Sequence, residues 1–129
     1  MSHFLRYPPG TIRGWHVFAG GELRGFALAN VDTHSGAVRR GKLLDCCLDT
    51  DDPDLGAAAV AGIVKEFRAA GCQHVAGYGG APWLAAALRA NGFFERGHSK
   101  VHWRDTKNKI PLDKPFHLTY LEADTGLLW

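Results

Sequence analysis

Leu43-Leu44-Asp45-Cys46-Cys47-Leu48, followed by Asp49-Thr50-Asp51-Asp52-Pro53-Asp54-Leu55, is the stretch on which the fold turns. Its first six residues form a short apolar run of strand length. The acids behind them stop that strand and open a helix, with Asp52 able to cap and Pro53 suited to the first helical position. Leu55, Ala59, Ile63 and Phe67 then recur at helical spacing, Val60 and Val64 widen the stripe, and Gly71 supplies a left-handed stop. The spacing predicts a helix over residues 53–70 and a second strand over residues 72–78. A helix of that length between two strands implies a right-handed crossover and parallel pairing.

Upstream, Tyr7-Pro8-Pro9-Gly10 can continue neither a helix nor a central strand, so residues 3–14 read as an extended arm. Trp15 to Ala19 is strand-like, and Gly20-Gly21 is a two-residue hairpin signal. The returning strand, Glu22 to Val31, carries Phe26 and Leu28 on one face and Ala27, Ala29 and Val31 on the other. Both faces therefore read as covered. Asp32 to Gly36 is a turn, and Ala37 to Leu48 is the third strand of an antiparallel meander. Downstream, a second helix spans residues 82–90 and is closed by Asn91-Gly92, with Leu84, Ala87 and Leu88 facing inward. Residues 100–104 and 116–121 alternate as strands, and Leu127-Leu128-Trp129 is apolar enough to dock. The expected class is α/β: one domain over residues 1–129 with a mixed sheet, a meander followed by strand–helix–strand–helix–strand–strand.

The bulk properties narrow the setting. A chain of 129 residues, 46% hydrophobic and 22% charged, fits one globular domain. Its net charge of +2 calls for no nucleic-acid or membrane partner. Adjacent Cys46 and Cys47 point to opposite faces of a strand, so the three cysteines form no disulfide framework and suit a reducing cytoplasm. No leader or membrane-length apolar run is visible, and a cytoplasmic location is expected.

The order of elements resembles the later part of the GNAT acyltransferase superfamily, without its opening strand and helices. Pro53-Asp54-Leu55-Gly56-Ala57-Ala58 stands where that family has Arg/Gln-x-x-Gly-x-Gly/Ala. Ala87-Leu88-Arg89-Ala90-Asn91-Gly92-Phe93 looks like the family's helix ending in Gly-Phe, and the closing residues 118–124 are similar to the ends of some GNAT-like proteins. The resemblance spans roughly Trp15 to Leu121. It implies an N-acyltransferase using acetyl-CoA or another acyl-CoA, with Gly56, Ala57 and Ala58 offering backbone N–H groups to the cofactor's diphosphate at a helix N-terminus. The pattern departs from the family at two places. Pro53 replaces the Arg/Gln and stands among Asp49, Asp51, Asp52 and Asp54, and Leu88 occupies the position of a frequent general-acid Tyr. A carboxylate close to a diphosphate costs on the order of 1 kcal/mol per pair in water. The acids also serve as an ordinary helix cap. What remains for catalysis is Tyr78, at the end of its strand near the expected cleft, and Asp45, a base on the third strand. Two readings follow: an acyltransferase or a relative of one, and a non-catalytic binding or assembly module that kept the fold and lost the acyl-CoA site.

Other chemistry finds less support. His98 and His102 would lie roughly 13 Å apart in an extended segment, too far to share a metal ion. Arg96, Lys100, Arg104, Lys107, Lys109 and Lys114 interleave with aromatic residues, but a solvated edge that resists aggregation explains them better than a nucleic-acid partner. Gly77-Tyr78-Gly79-Gly80 reads as a tight turn. Residues on both sheet faces, with no early helices to cover one of them, lead to an expected two-fold homodimer through Trp15, Phe18, Phe26, Leu28 and Trp129.

Overall fold

The computed structural model describes residues 11–34, 38–98 and 107. In order they form β1 (Thr11–Ala19), β2 (Glu22–His34), β3 (Val38–Leu48), α1 (Pro53–Ala69), β4 (His74–Ala76) and α2 (Pro82–Ala90). The strands make one mixed sheet in the order β1-β2-β3-β4, antiparallel across the first two pairs and parallel between β3 and β4. This is the α/β class and the parallel crossover that the strand–helix–strand stretch predicts. The strands at residues 100–104 and 116–121 and the apolar segment 127–129 lie outside the described residues.

Three boundaries move. β1 begins at Thr11 rather than Trp15, so the last residues of the expected arm belong to the sheet. β2 runs on through Asp32, Thr33 and His34, which sequence reading assigns to a turn. β4 shrinks at both ends, from residues 72–78 to three residues, and Gly77 beyond it comes close to Leu88 of α2.

Both antiparallel ladders carry a bulge, on β2 in the first and on β3 in the second, and these decide which side chains share a face. Leu28 pairs with Asp45 while Ala29 pairs with Leu43, which leaves Leu44 as the extra residue on β3. The alternation therefore slips by one: Gly41 and Leu43 face α1 before the bulge, and Cys46 faces it afterwards. Simple period-two reading puts Leu43 with Cys47 and opposes both to Cys46. The structure corrects that pairing. Leu43 and Cys46 share one core with Ala27, Ala29, Val31, Val60, Ile63 and Phe67.

Trp15 also faces this core. It pairs in register with Ala27, and its ring meets Phe67 edge-on at 6.3 Å between centroids. Trp15 thus lies on the sheet face opposite to that of Phe26 and Leu28. Along α1 the buried row is Gly56, Val60, Ile63 and Phe67, one position over from the expected Leu55–Ala59 edge. Asp52 caps the helix as read from sequence, accepting the Asp54 N–H at 3.0 Å, and Pro53 opens the first turn. At the other end Gly71 takes a positive φ of 77°, and the Arg39 guanidinium donates to the Ala70 carbonyl at 2.8 Å. Asp52→Ala is expected to lower stability by about 1 kcal/mol in urea unfolding, with Asp52→Ser restoring most of it. Equal stability of the wild type and the alanine variant would remove the cap from the account. No helix among the described residues is long and apolar enough to cross a membrane.

Candidate functional site

The site to consider lies where β3 and β4 part. Their pairing covers only Arg40–His74, Gly41–Val75 and Lys42–Ala76. Beyond it, residues 43–48 of β3 have no strand partner on that side among the described residues. From here β3 leads into the first turn of α1, and β4 into the loop over residues 77–80. Two glycines bring the loop against α2. A Cβ on Gly77 would stand 3.0 Å from Leu88 Cδ2, and one on Gly79 would stand 2.9 Å from the Ala85 methyl. Leu88 is accordingly buried against the strand exit, where a hydrocarbon packs and no proton is exchanged.

Gly56, Ala57 and Ala58, the expected diphosphate cradle, serve helix packing in two of three cases. Gly56 is buried beneath Trp83, whose Cε3 would lie 3.2 Å from an added Cβ. The Ala57 carbonyl accepts the Asn91 side-chain amide at 3.0 Å, and the same Nδ2 donates to the Ala87 carbonyl at 2.9 Å. Asn91 thus clamps the end of α2 to α1 as well as stopping the helix. Ala58 is exposed. Two N–H donors at the start of the helix are also engaged within the chain. Pro53 has no N–H, the Asp54 N–H goes to the Asp52 carboxylate, and the Gly56 N–H goes to the Asp52 carbonyl at 3.0 Å. Asp49, Asp51, Asp52 and Asp54 are all exposed around this turn. Asp49 is held by the Arg24 guanidinium at 2.8 Å, which ties the end of β3 to the hairpin. The anion nearest the N-terminus of α1 is thus the chain's own Asp52 carboxylate, which caps the helix.

Asp45 comes from β3 and Tyr78 from the loop just after β4. Both are half-buried. Asp45 pairs in register with Leu28, so it lies on the sheet face turned away from α1, and its Oδ1 accepts the Cys47 thiol at 3.6 Å. Cys46, on the α1 side, is fully buried, and burial, with Cys47 and Asp45 adding to it, pushes its thiol up to about 12. That environment makes Cys46 a packing residue rather than a nucleophile.

Sequence reading misses one pair. Asn30 and Lys42 sit opposite each other on β2 and β3, on the same face as Asp45, at 0% and 5% exposure. Burial lowers the Lys42 ammonium below its ordinary value. Neither polar atom of the Asn30 amide has a hydrogen-bond partner. A buried Asn left in this way is uncommon in a folded chain. The signal was visible as Asn30 inside the otherwise apolar Phe26–Val31 run. Elsewhere, His98 Nδ1 lies 3.1 Å from Glu95 Oε1, both exposed, and no group of metal-ligating side chains occurs among the described residues. His102 lies outside them.

No family model matches the chain, and no curated protein matches it. Solved structures do. TTHA1254 from Thermus thermophilus, as wild type and as a single-substitution mutant, is similar over 84% of this chain and 78% of that one, with a TM-score of 0.54 and 22% identity. The aminoglycoside acetyltransferase meta-AAC0020, from an uncultured soil metagenomic sample and solved with sisomicin, is similar over 74% of this chain and 66% of that one. Its TM-score is 0.55 at 10% identity. The fold is GNAT-like. At these identities the likeness concerns the GNAT-like fold alone, and the chemistry must come from the residues.

Proposed function

We propose that this chain is a relative of the acyl-CoA-dependent N-acyltransferases that acts as a binding or assembly module and does not hold acyl-CoA by itself. The observation that carries this reading is the Asp52 carboxylate at the N-terminus of α1, where it takes the Asp54 N–H beside a proline that has none to give. A diphosphate would have to displace that cap and approach Asp49, Asp51 and Asp54. Leu88 packed against Gly77 supports the same reading, since the helix that often supplies a general acid in the family supplies a core leucine here. Titration of acetyl-CoA into the protein by calorimetry is expected to give no binding heat up to millimolar ligand. Micromolar binding that disappears in Gly56→Glu would overturn the reading.

The second reading, acyl transfer, is favoured by the short pairing of β3 with β4, beyond which β3 has no further partner on that side among the described residues, near half-buried Asp45 and Tyr78. It predicts the opposite calorimetric result. Catalysis would then depend on Asp45 and Tyr78 and not on Leu88.

A further inference from the structure

The outer edge of the sheet has no partner among the described residues. β1 occupies one end of the strand order and hydrogen-bonds only to β2. It is nine residues long, without proline or lysine, and the bulge in its ladder falls on β2, at Arg24 between Leu23 and Gly25. Edge strands are usually blunted by such devices, and β1 has few of them. Arg13 and His16 are its only polar side chains of any length.

Three of the five large apolar side chains exposed among the described residues lie beside this edge, the others being Val38 and Phe94. Phe18, Leu23 and Phe26 are 61%, 57% and 40% exposed. The bulge at Arg24 sets Leu23 opposite Phe18, while Phe26 lies opposite His16, so all four share the face turned away from α1. The rings of His16 and Phe18 meet edge-on at 6.3 Å. The patch is too small to drive a stable interface alone, which needs about 1,200–2,000 Å2 in total. Joined to a strand edge, and doubled by symmetry, it becomes the centre of one.

Charge selects the direction. Arg13 near the start of β1, Arg39 near the start of β3 and Arg68 in the last turn of α1 stand at one end of the fold, where Arg39 reaches the Ala70 carbonyl. Asp49, Asp51, Asp52 and Asp54 stand at the other, and the Arg24–Asp49 pair ties that end to the β1–β2 hairpin. Antiparallel pairing of two edges brings the basic end of each copy beside the acidic end of the other. Parallel pairing would set Arg13 beside Arg13. Opposed signs across an interface steer and register it.

We propose that β1 pairs antiparallel with β1 of a second copy about a two-fold axis, making one continuous sheet with the Phe18–Leu23–Phe26 patches adjoining across the axis. This assembly uses no acyl-CoA chemistry, and Trp15 meets the seam from the core side of β1. Sedimentation equilibrium of the full chain is expected to show a monomer of 14.1 kDa giving way to twice that mass at tens of micromolar. Phe18→Lys, at an exposed position, should weaken the dimer about tenfold or more while leaving the circular dichroism and melting temperature in place. Photo-cross-linking from p-benzoylphenylalanine at His16 should capture the β1 peptide of a second copy, and the same group at exposed Ala58 should not. A monomer at every concentration, a dimer indifferent to Phe18→Lys, or cross-links from Ala58 instead of His16 would each overturn the proposal.

Discussion

Gly41→Val is expected to lower the unfolding free energy by about 3 kcal/mol, seen as a fall in the urea midpoint with an unchanged slope. Gly41 is buried in β3 between Val31 on one neighbour and Val75 on the other. Its missing side chain points at the Phe67 ring, whose Cγ would stand 2.9 Å from a Cβ and whose edge atoms would stand closer still. The ring cannot retreat easily. It is 1% exposed, with Trp15 edge-on against it. Strand preference favours valine over glycine by up to about 1 kcal/mol, so the overpacking has to exceed that gain before any loss is seen. The cause is checked by a second change. In Gly41→Val with Phe67→Leu, the two effects should fall short of additivity by about 1 kcal/mol or more, because the smaller side chain makes room. A neutral Gly41→Val would mean that Phe67 does not lie under β3.

Most of the frame that carries Gly41 was legible, because its signals are local. Asp52 and Pro53 at the start of α1, Gly71 at its end and Gly20-Gly21 in the hairpin each require a particular backbone geometry, and the structure shows it. The glycines at 20, 21, 71 and 92 all take positive φ. The faces of β3 were not legible. A period-two pattern assumes an unbroken ladder, and the extra residue at Leu44 inverts it for everything that follows. Nothing in Leu43-Leu44-Asp45-Cys46 marks the slip, since leucine, cysteine and a half-buried aspartate are tolerated on either face.

The candidate site divides in the same way. That Pro53 stands among acids at the helix start is a matter of charge and donors, and it can be read from residue types alone. That Gly56 serves Trp83 could not be foreseen, because it depends on how α1 crosses α2. A glycine in a phosphate cradle and a glycine under a ring look alike in sequence. Asn30 and Lys42 escaped notice for a related reason: they face each other across strands only in a register that depends on where the strands turn.

Cys46 should be the slow thiol of the native protein, and its ionisation should make the fold weaker in alkali. Burial, with Cys47 and Asp45 adding to it, raises the thiol from 9.0 to about 12, so at pH 8 its thiolate fraction falls roughly a thousandfold below that of a free cysteine. Alkylation followed by mass spectrometry is therefore expected to leave Cys46 unmodified in the native chain and to modify it once urea unfolds the protein. The linkage has a definite sign. Above pH 9 the unfolded chain releases the Cys46 proton while the folded chain keeps it, so the folded state binds more protons and stability falls as pH rises. Between 9.0 and about 12 this amounts to on the order of 4 kcal/mol. Lys42 acts in the opposite sense. Burial lowers its ammonium from 10.5, so its contribution to stability rises as pH climbs toward that value. The two are separated by Cys46→Ala, which removes the thiol and leaves Lys42 in place. Unfolding in urea at several values between pH 8 and pH 11 should show a steeper alkaline loss in the wild type than in the variant. Parallel curves for the two proteins would mean that Cys46 ionises as freely in the folded chain as in the unfolded one, and that it is not part of the core.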